Sequence, residues 1–175
     1  MGEAFLALLE RDQKRLLRLC NALETIADAL PGGRPERTAK ILAFLDKAYA
    51  RHVFLHEKYL FPLVRSLEEK KAPAELFLRQ LEFEHAADHG LIAEITSAFM
   101  SCSGGNSKVE MHMLGYLLRS FFENCRRHCA WERNVLYPVV KKHLAGGTPR
   151  EQHDELFRLS VGLGTFDGIL RAAVR

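Results

Sequence analysis

The sequence predicts an all-α protein, an up-down-up-down four-helix bundle with an extra C-terminal helix. Three observations predict it. Apolar residues recur at helical spacing between Pro- and Gly-containing stretches, and no alternating pattern of strand length occurs. The chain repeats itself, so that a pair of helices is written twice. Polar residues able to ligate a metal stand four apart on three of the predicted helices.

The first helix is EAFLALLERDQKRLLRLCNALETIADAL, which stops at Pro31-Gly32-Gly33. The second runs from about Glu36 to Lys70, and Pro62 inside it is expected to end or kink it. Pro73 opens the third, which extends to about Met100 and is closed by SCSGGNS. The fourth runs from about Val109 to His143, with Pro138 near its end, and stops at Gly146-Gly147-Thr148-Pro149. A fifth, from about Pro149 to Ala173, starts with Thr148 as N-cap and Pro149 at the first helical position. Its stretch SVGLGTFDG has three glycines, which weakens a regular helix there. The bundle thus covers about residues 3–145 and the added helix about 149–173, within a single domain over 1–175.

The repeat is clearest in HVFLHEKYLFP, residues 52–62, and HCAWERNVLYP, residues 128–138. Leu60-Phe61-Pro62 matches Leu136-Tyr137-Pro138, which sets His52 on His128 and His56 on Glu132 at an offset of 76. LERDQKRLLRL, residues 9–19, aligns with LEFEHAADHGL, residues 81–91, at an offset of 72. Gln13 then stands on His85 and Leu17 on His89. Two duplicated helix pairs give a bundle with pseudo-twofold symmetry.

Composition narrows the function. The chain has 175 residues, which suits one core. The net charge of +3 is small, and the basic residues are scattered, which argues against nucleic acid. No apolar run is long enough for a bilayer, and MGEAFLALLERDQKRLL lacks a basic n-region. A cytoplasmic location without membrane contact is the expectation, and a homodimer is left open. Cys20, Cys102, Cys125 and Cys129 show no CxxC spacing and read as reduced, packed thiols, with thiol ligation of a metal a minor alternative. Cys129 follows His128 directly and is expected to point elsewhere on the helix, since neighbours diverge by about 100°. No G-x-S-x-G, P-loop or dinucleotide-binding turn occurs, so hydrolytic and nucleophilic chemistry lacks a motif.

The histidines carry more. Residues four apart on a helix share a face, about 6 Å apart along the axis. His52 with His56, His85 with His89, and His128 with Glu132 are such pairs. Leu45, Ala48, Tyr49, Leu55, Tyr59 and Leu63 surround the first pair with an apolar stripe. Phe121, Phe122, Cys125, Val135 and Leu136 do the same for the last. These polar pairs therefore look inward, where an unpartnered imidazole or carboxylate is costly. A single pair of this kind is common on helix surfaces, but three on three helices of a repeated bundle are not. A metal supplies a reason, because it satisfies several lone pairs at once. His112, His143 and His153 match no repeat position and read as surface or satisfied histidines.

These residues resemble the hemerythrin-like, or HHE cation-binding, family over about residues 3–145. The resemblance rests on His128-x-x-x-Glu132 followed by LYP, on His52 followed four residues on by His56 and then LFP, and on His85 in EFEH. It implies an up-down-up-down bundle with a carboxylate-bridged di-iron centre. Carried over, His85, His89 and His128 would cap one metal, His52 would bind the other, and Glu132 would bridge. The chain departs from the family pattern twice: Gln13 stands for the first-helix histidine and His56 for the first bridging glutamate. A neutral imidazole has one free lone pair and cannot bridge. His56 is then a terminal ligand that stands in for the missing histidine, or a nearby acid (Glu57, Glu84 or Asp88) approaches, or one metal binds. Gln13 is expected to hydrogen-bond to a ligand rather than to be one.

With iron, the resemblance implies binding or sensing of O2, peroxide or nitric oxide, or handling of iron. Phe54, Phe61, Phe83, Phe99, Phe121, Phe122 and Trp131 are candidate walls for an apolar pocket, although at helical spacing such aromatics are commonly plain core. Imidazole and carboxylate also suit zinc. The alternatives are a zinc-stabilised helical interaction module, with three histidines and a glutamate closing a tetrahedral site, and a metal-free regulatory bundle. Catalytic turnover, such as peroxide removal, has no separate motif.

Overall fold

The computed structural model describes residues 2–32, 35–67, 72–104 and 108–144, which are helical except for the turn at 30–32. The helices are α1 (Gly2–Ala29), α2 (Pro35–Leu55), α3 (Phe61–Leu67), α4 (Ala72–Gly104), α5 (Lys108–Trp131) and α6 (Tyr137–Leu144). A π-turn over His56–Leu60 joins α2 to α3, and another over Glu132–Leu136 joins α5 to α6. Four continuous rods result, packed in a ring: α1 on α2, α2 on α4, α4 on α5, and α5 back on α1. This is the four-helix bundle that the repeat predicts. The expected fifth helix at about 149–173 lies outside the described residues.

The two π-turns show that the helix carrying Pro62 continues through it instead of ending there. A proline has no N–H, and its ring clashes with the carbonyl four residues back. Here the rod widens just before each proline instead of ending. The Phe61 N–H donates to the His56 carbonyl and the Tyr137 N–H to the Glu132 carbonyl, each five residues back. Pro62 and Pro138 follow directly, where no N–H remains to be placed. The duplicated Leu-aromatic-Pro tail is thus the local signal for a π-turn, and in both copies the turn opens on a candidate ligand. Single π-turns of this kind are frequent at functional sites.

The core has two apolar halves. One contains Leu16, Leu19, Leu23, Ile41, Leu45, Tyr49, Ile95, Leu118 and Phe121. The other contains Leu8, Leu9, Leu55, Leu60, Phe61, Leu78, Leu136 and Val140. Each large apolar side chain buried here contributes roughly 1.5–3 kcal/mol relative to exposure. Between the halves runs a belt of buried polar residues: Asp12 and Gln13 on α1, His52 and His56 on the second rod, His85 and Asp88 on α4, and His128 and Glu132 on the fourth rod. Every rod contributes two members. Polar groups at that depth need partners.

Candidate metal centre

Glu132 is the hub of the belt. It opens the second π-turn and is fully buried. His56, at the same place in the first π-turn, brings Nδ1 into close contact with Glu132 Oε1. His52 Nε2 lies 3.4 Å and His85 Nε2 3.8 Å from that same oxygen. The other oxygen, Oε2, accepts a hydrogen bond from Gln13 Nε2 at 3.2 Å. Gln13 Nε2 also donates to the Cys129 carbonyl at 2.8 Å. The fourth imidazole, His128, faces His52 with the two Nε2 atoms 3.2 Å apart.

Three of the four imidazoles are backed by a carboxylate at Nδ1. His52 Nδ1 meets Asp12 Oδ2 at 3.1 Å, and His85 Nδ1 meets Glu57 Oε1 at 2.9 Å. His128 Nδ1 stands 3.5 Å from Asp88 Oδ2, which also accepts the Tyr49 hydroxyl at 3.1 Å. A carboxylate on one ring nitrogen fixes the tautomer and aims the other nitrogen away from it. His56 is turned the other way round, with Nδ1 on the hub and Nε2 buried without a partner. His85 Nε2 is likewise buried without a hydrogen bond, and His128 Nδ1 has only the 3.5 Å contact with Asp88.

The electrostatics follow from this packing. Burial works against ionisation of Glu132, but His56 and His52 outweigh it and hold the carboxyl well below its usual range. Burial also opposes charge on His52, yet Glu132 and Asp12 raise it well above its ordinary value. For His128, burial is again overcome, by Asp88 and Cys129, which raise it to about 9. Two N–H groups cannot face each other across 3.2 Å, so one of the two Nε2 atoms donates and the other accepts. Burial pushes His56 down to about 4 against the pull of Glu132, so it is neutral and Nδ1–H donates. The Cys125 thiol hydrogen-bonds to Cys129 and lowers the latter to about 6, against burial, while burial keeps Cys125 itself well above its ordinary value. Burial likewise raises Tyr49 and Tyr137, which stay protonated.

The structure brings His52, His56, His85, His128 and Glu132 together. It does not bring His89, which is exposed and lines a surface groove between α2 and α4 with Leu42, Asp46 and Ile92. The buried stripe of α4 runs Leu78, Leu81, His85, Asp88, Ile92, Ile95, in alternating steps of three and four. That stripe passes through position 88, so Asp88 takes the inward place. On the second and fourth rods the stripe is wide enough to include both members of the pair.

Other expectations resolve as follows. Gln13 hydrogen-bonds to Glu132, as expected of it. Glu57 and Asp88 back His85 and His128 and do not approach the hub, and Glu84 lies 3.9 Å from Arg127. Cys129 does not point away from His128, because both offer a ligand atom to the same group. Phe61 stacks on His85, with centroids 5.7 Å apart and planes 8° apart, whereas Phe54, Phe83 and Trp131 are exposed. His112 is exposed as expected, and the His143 side chain and His153 lie outside the described residues. The spacing of the histidines gives no sign of Asp12, Tyr49 or Tyr137, which the fold brings to the same belt. The signal available for Asp12 was its place beside Gln13, on the helix that had lost its histidine.

Two sets of four residues place their ligand atoms within 4.8 Å of one another: His52, His56, His85 and Glu132, and His52, His128, Cys129 and Glu132. All are buried. Buried ring nitrogens without partners, one ionised carboxylate and a neutral imidazole are what a divalent or trivalent ion needs. The donor set therefore fits a metal. No helix among the described residues is long and apolar enough to cross a membrane. No characterised protein and no solved structure matches the chain. The hemerythrin HHE cation-binding domain matches residues 4–140, a span that includes every residue of the belt. A duplicated bundle with a buried His/Glu belt across its middle belongs, by that match, to the hemerythrin HHE cation-binding family.

Proposed function

We propose that the belt holds non-haem iron at two positions that share Glu132, and that the protein uses it to bind or sense O2, peroxide or nitric oxide, or to handle iron. One observation carries this reading. Three imidazoles are each backed by a carboxylate, and buried nitrogens around Glu132 lack a protein partner. In a metal-free interior that arrangement costs energy, because an unpaired buried polar atom costs about 1–3 kcal/mol. When bound, iron supplies reversible redox chemistry toward small oxygen and nitrogen ligands. The chain holds the ligands in register, keeps His56 neutral, and surrounds the belt with apolar side chains that exclude water. Phe61 on His85 and Phe121 against Tyr49 form part of those walls.

A second reading is a structural zinc site. His52, His56, His85 and Glu132 make three imidazoles and one carboxylate, all at most 2% exposed, which favours a closed tetrahedral centre. Anaerobic loading with ferrous iron, followed by exposure to O2, peroxide and nitric oxide under optical and paramagnetic-resonance spectroscopy, separates the two. The iron reading expects a spectrum that changes with at least one ligand. Zinc retention with no iron uptake would replace it with the structural reading.

A further inference from the structure

We propose that Cys129 is a metal ligand, so that this chain completes its second metal position with sulfur beside His52, His128 and Glu132. The inference rests on the reading of the belt as a metal centre and deepens it. Its ground is geometric. The Cys129 sulfur, one ligand atom each of His52 and His128, and a Glu132 oxygen lie within 4.8 Å of one another, and Cys129 is 1% exposed.

The count of donors gives the sulfur its purpose. His52 spends Nδ1 on Asp12 at 3.1 Å and so has one nitrogen left. A neutral imidazole offers a single lone pair, so His52 serves one metal only. His52 stands in both ligand groups, and one of them must do without it. Assigned to His128, it leaves His56, His85 and Glu132 to the first metal. The second metal then has His52, His128 and Glu132, while on α1 Asp12 backs His52 and Gln13 Nε2 donates to Glu132 and to the Cys129 carbonyl. Cys129 brings that position to four.

The neighbourhood is arranged to suit. Gln13 Nε2, 2.8 Å from the Cys129 carbonyl, fixes the backbone at that residue. Cys125, one turn earlier, bonds to the Cys129 sulfur on one side and packs on Cys20 on the other. Thiol donors to a metal-bound sulfur tune it as outer-sphere hydrogen bonds do elsewhere. The metal is bound by the Cys129 thiolate, and a proton still on the sulfur leaves to solvent, with no change in oxidation state. A sulfur donor shifts the position toward borderline and soft ions such as zinc and iron and away from magnesium, calcium and manganese.

X-ray absorption on the zinc-loaded and iron-loaded full chain tests this. The expected zinc result is a sulfur shell at about 2.3 Å beside nitrogen and oxygen at about 2.0–2.1 Å. Cys129→Ser should lose the sulfur shell and keep bound metal, and Cys125→Ser should keep the shell. Cobalt-loaded wild type, which needs no variant, should show sulfur-to-metal charge transfer in the near ultraviolet. Metal bound through nitrogen and oxygen alone in wild type overturns the proposal and leaves the metal-centre reading standing. A sulfur shell that survives in Cys129→Ser also overturns it. Wild type that takes up none of the three ions overturns both.

Discussion

Replacing His85 by leucine should move stability in opposite directions with and without metal. His85 is 2% exposed, its Nε2 lacks a hydrogen-bond partner, and its Nδ1 bonds to Glu57, a side chain 40% exposed. In the metal-free protein the substitution removes an unpaired buried nitrogen, a relief of about 1–3 kcal/mol. It also gives up one hydrogen bond, worth about 0.5–1.5 kcal/mol, whose acceptor water can re-solvate. Leucine fills similar space against Phe61. The balance is a gain of about 1 kcal/mol, or a rise of about 2–4 °C in Tm at this chain length. With metal the sign reverses. Losing an outer partner of a ligand already costs about 10–100-fold in affinity, and losing the ligand itself should cost at least as much. A hundredfold loss removes about 2.7 kcal/mol of metal-dependent stabilisation under excess metal. Thermal unfolding followed by circular dichroism, on chelator-treated and metal-loaded samples of both proteins, reads both effects. A variant destabilised without metal, with an unchanged metal-induced shift, would refute the reasoning, because His85 would then be an ordinary packing residue.

Other predictions use the same belt. The metal-free protein should lose stability as pH falls below 6.5. His56, lowered from 6.5 to about 4, contributes stability that is present above 6.5 and lost as pH falls toward 4. Above 6.5 two shifts oppose each other: His128, raised from 6.5 to about 9, contributes stability lost as pH rises toward 9, and Cys129, lowered from 9 to about 6, contributes stability lost as pH falls toward 6. The acid limb amounts to about 3 kcal/mol, and urea titrations from about pH 7 down to about 4 would show a flat profile if His56 were solvated. Gln13→Leu leaves Glu132 Oε2 and the Cys129 carbonyl without their buried donor and should cost about 3 kcal/mol in urea unfolding of the metal-free chain. An unchanged midpoint would remove Gln13 from the belt. Tyr49→Phe deprives buried Asp88 of a hydroxyl donor and should cost about 1–2 kcal/mol by the same assay. His112→Ala, at an exposed position, should change neither stability nor metal content, and metal loss there would mean that the ligands lie elsewhere.

The bundle was legible in the sequence because duplication and 3.6-residue periodicity are both written in the order of residues. The inward placement of His52, His56, His128 and Glu132 was legible for the same reason, since a wide apolar stripe on the second and fourth rods carries both members of each pair inward. His89 was misplaced because HxxxH was read alone. The stripe that includes Leu81, His85, Asp88 and Ile92 turns position 89 outward, and that rhythm was present in the sequence. The π-turns were not legible as such. A proline announces only that an ordinary helical bond is missing, not that the rod widens ahead of it. The backing carboxylates were harder still. Asp12, Glu57 and Asp88 each serve a histidine on another helix, and such pairs depend on packing that spacing along one helix does not encode. The angle between neighbouring residues predicts that Cys129 and His128 diverge, although a wide inward face holds both.

The central claim is that the belt around Glu132 holds metal. Its most direct test is elemental analysis of metal per chain, on untagged protein made with iron supplied and purified without chelator, for wild type and Glu132→Ala. The account predicts about two iron ions per chain in wild type and loss of most of that metal in the variant, because the hub carboxylate is shared by both positions. Wild type without bound iron or zinc, or Glu132→Ala with its metal intact, would contradict it.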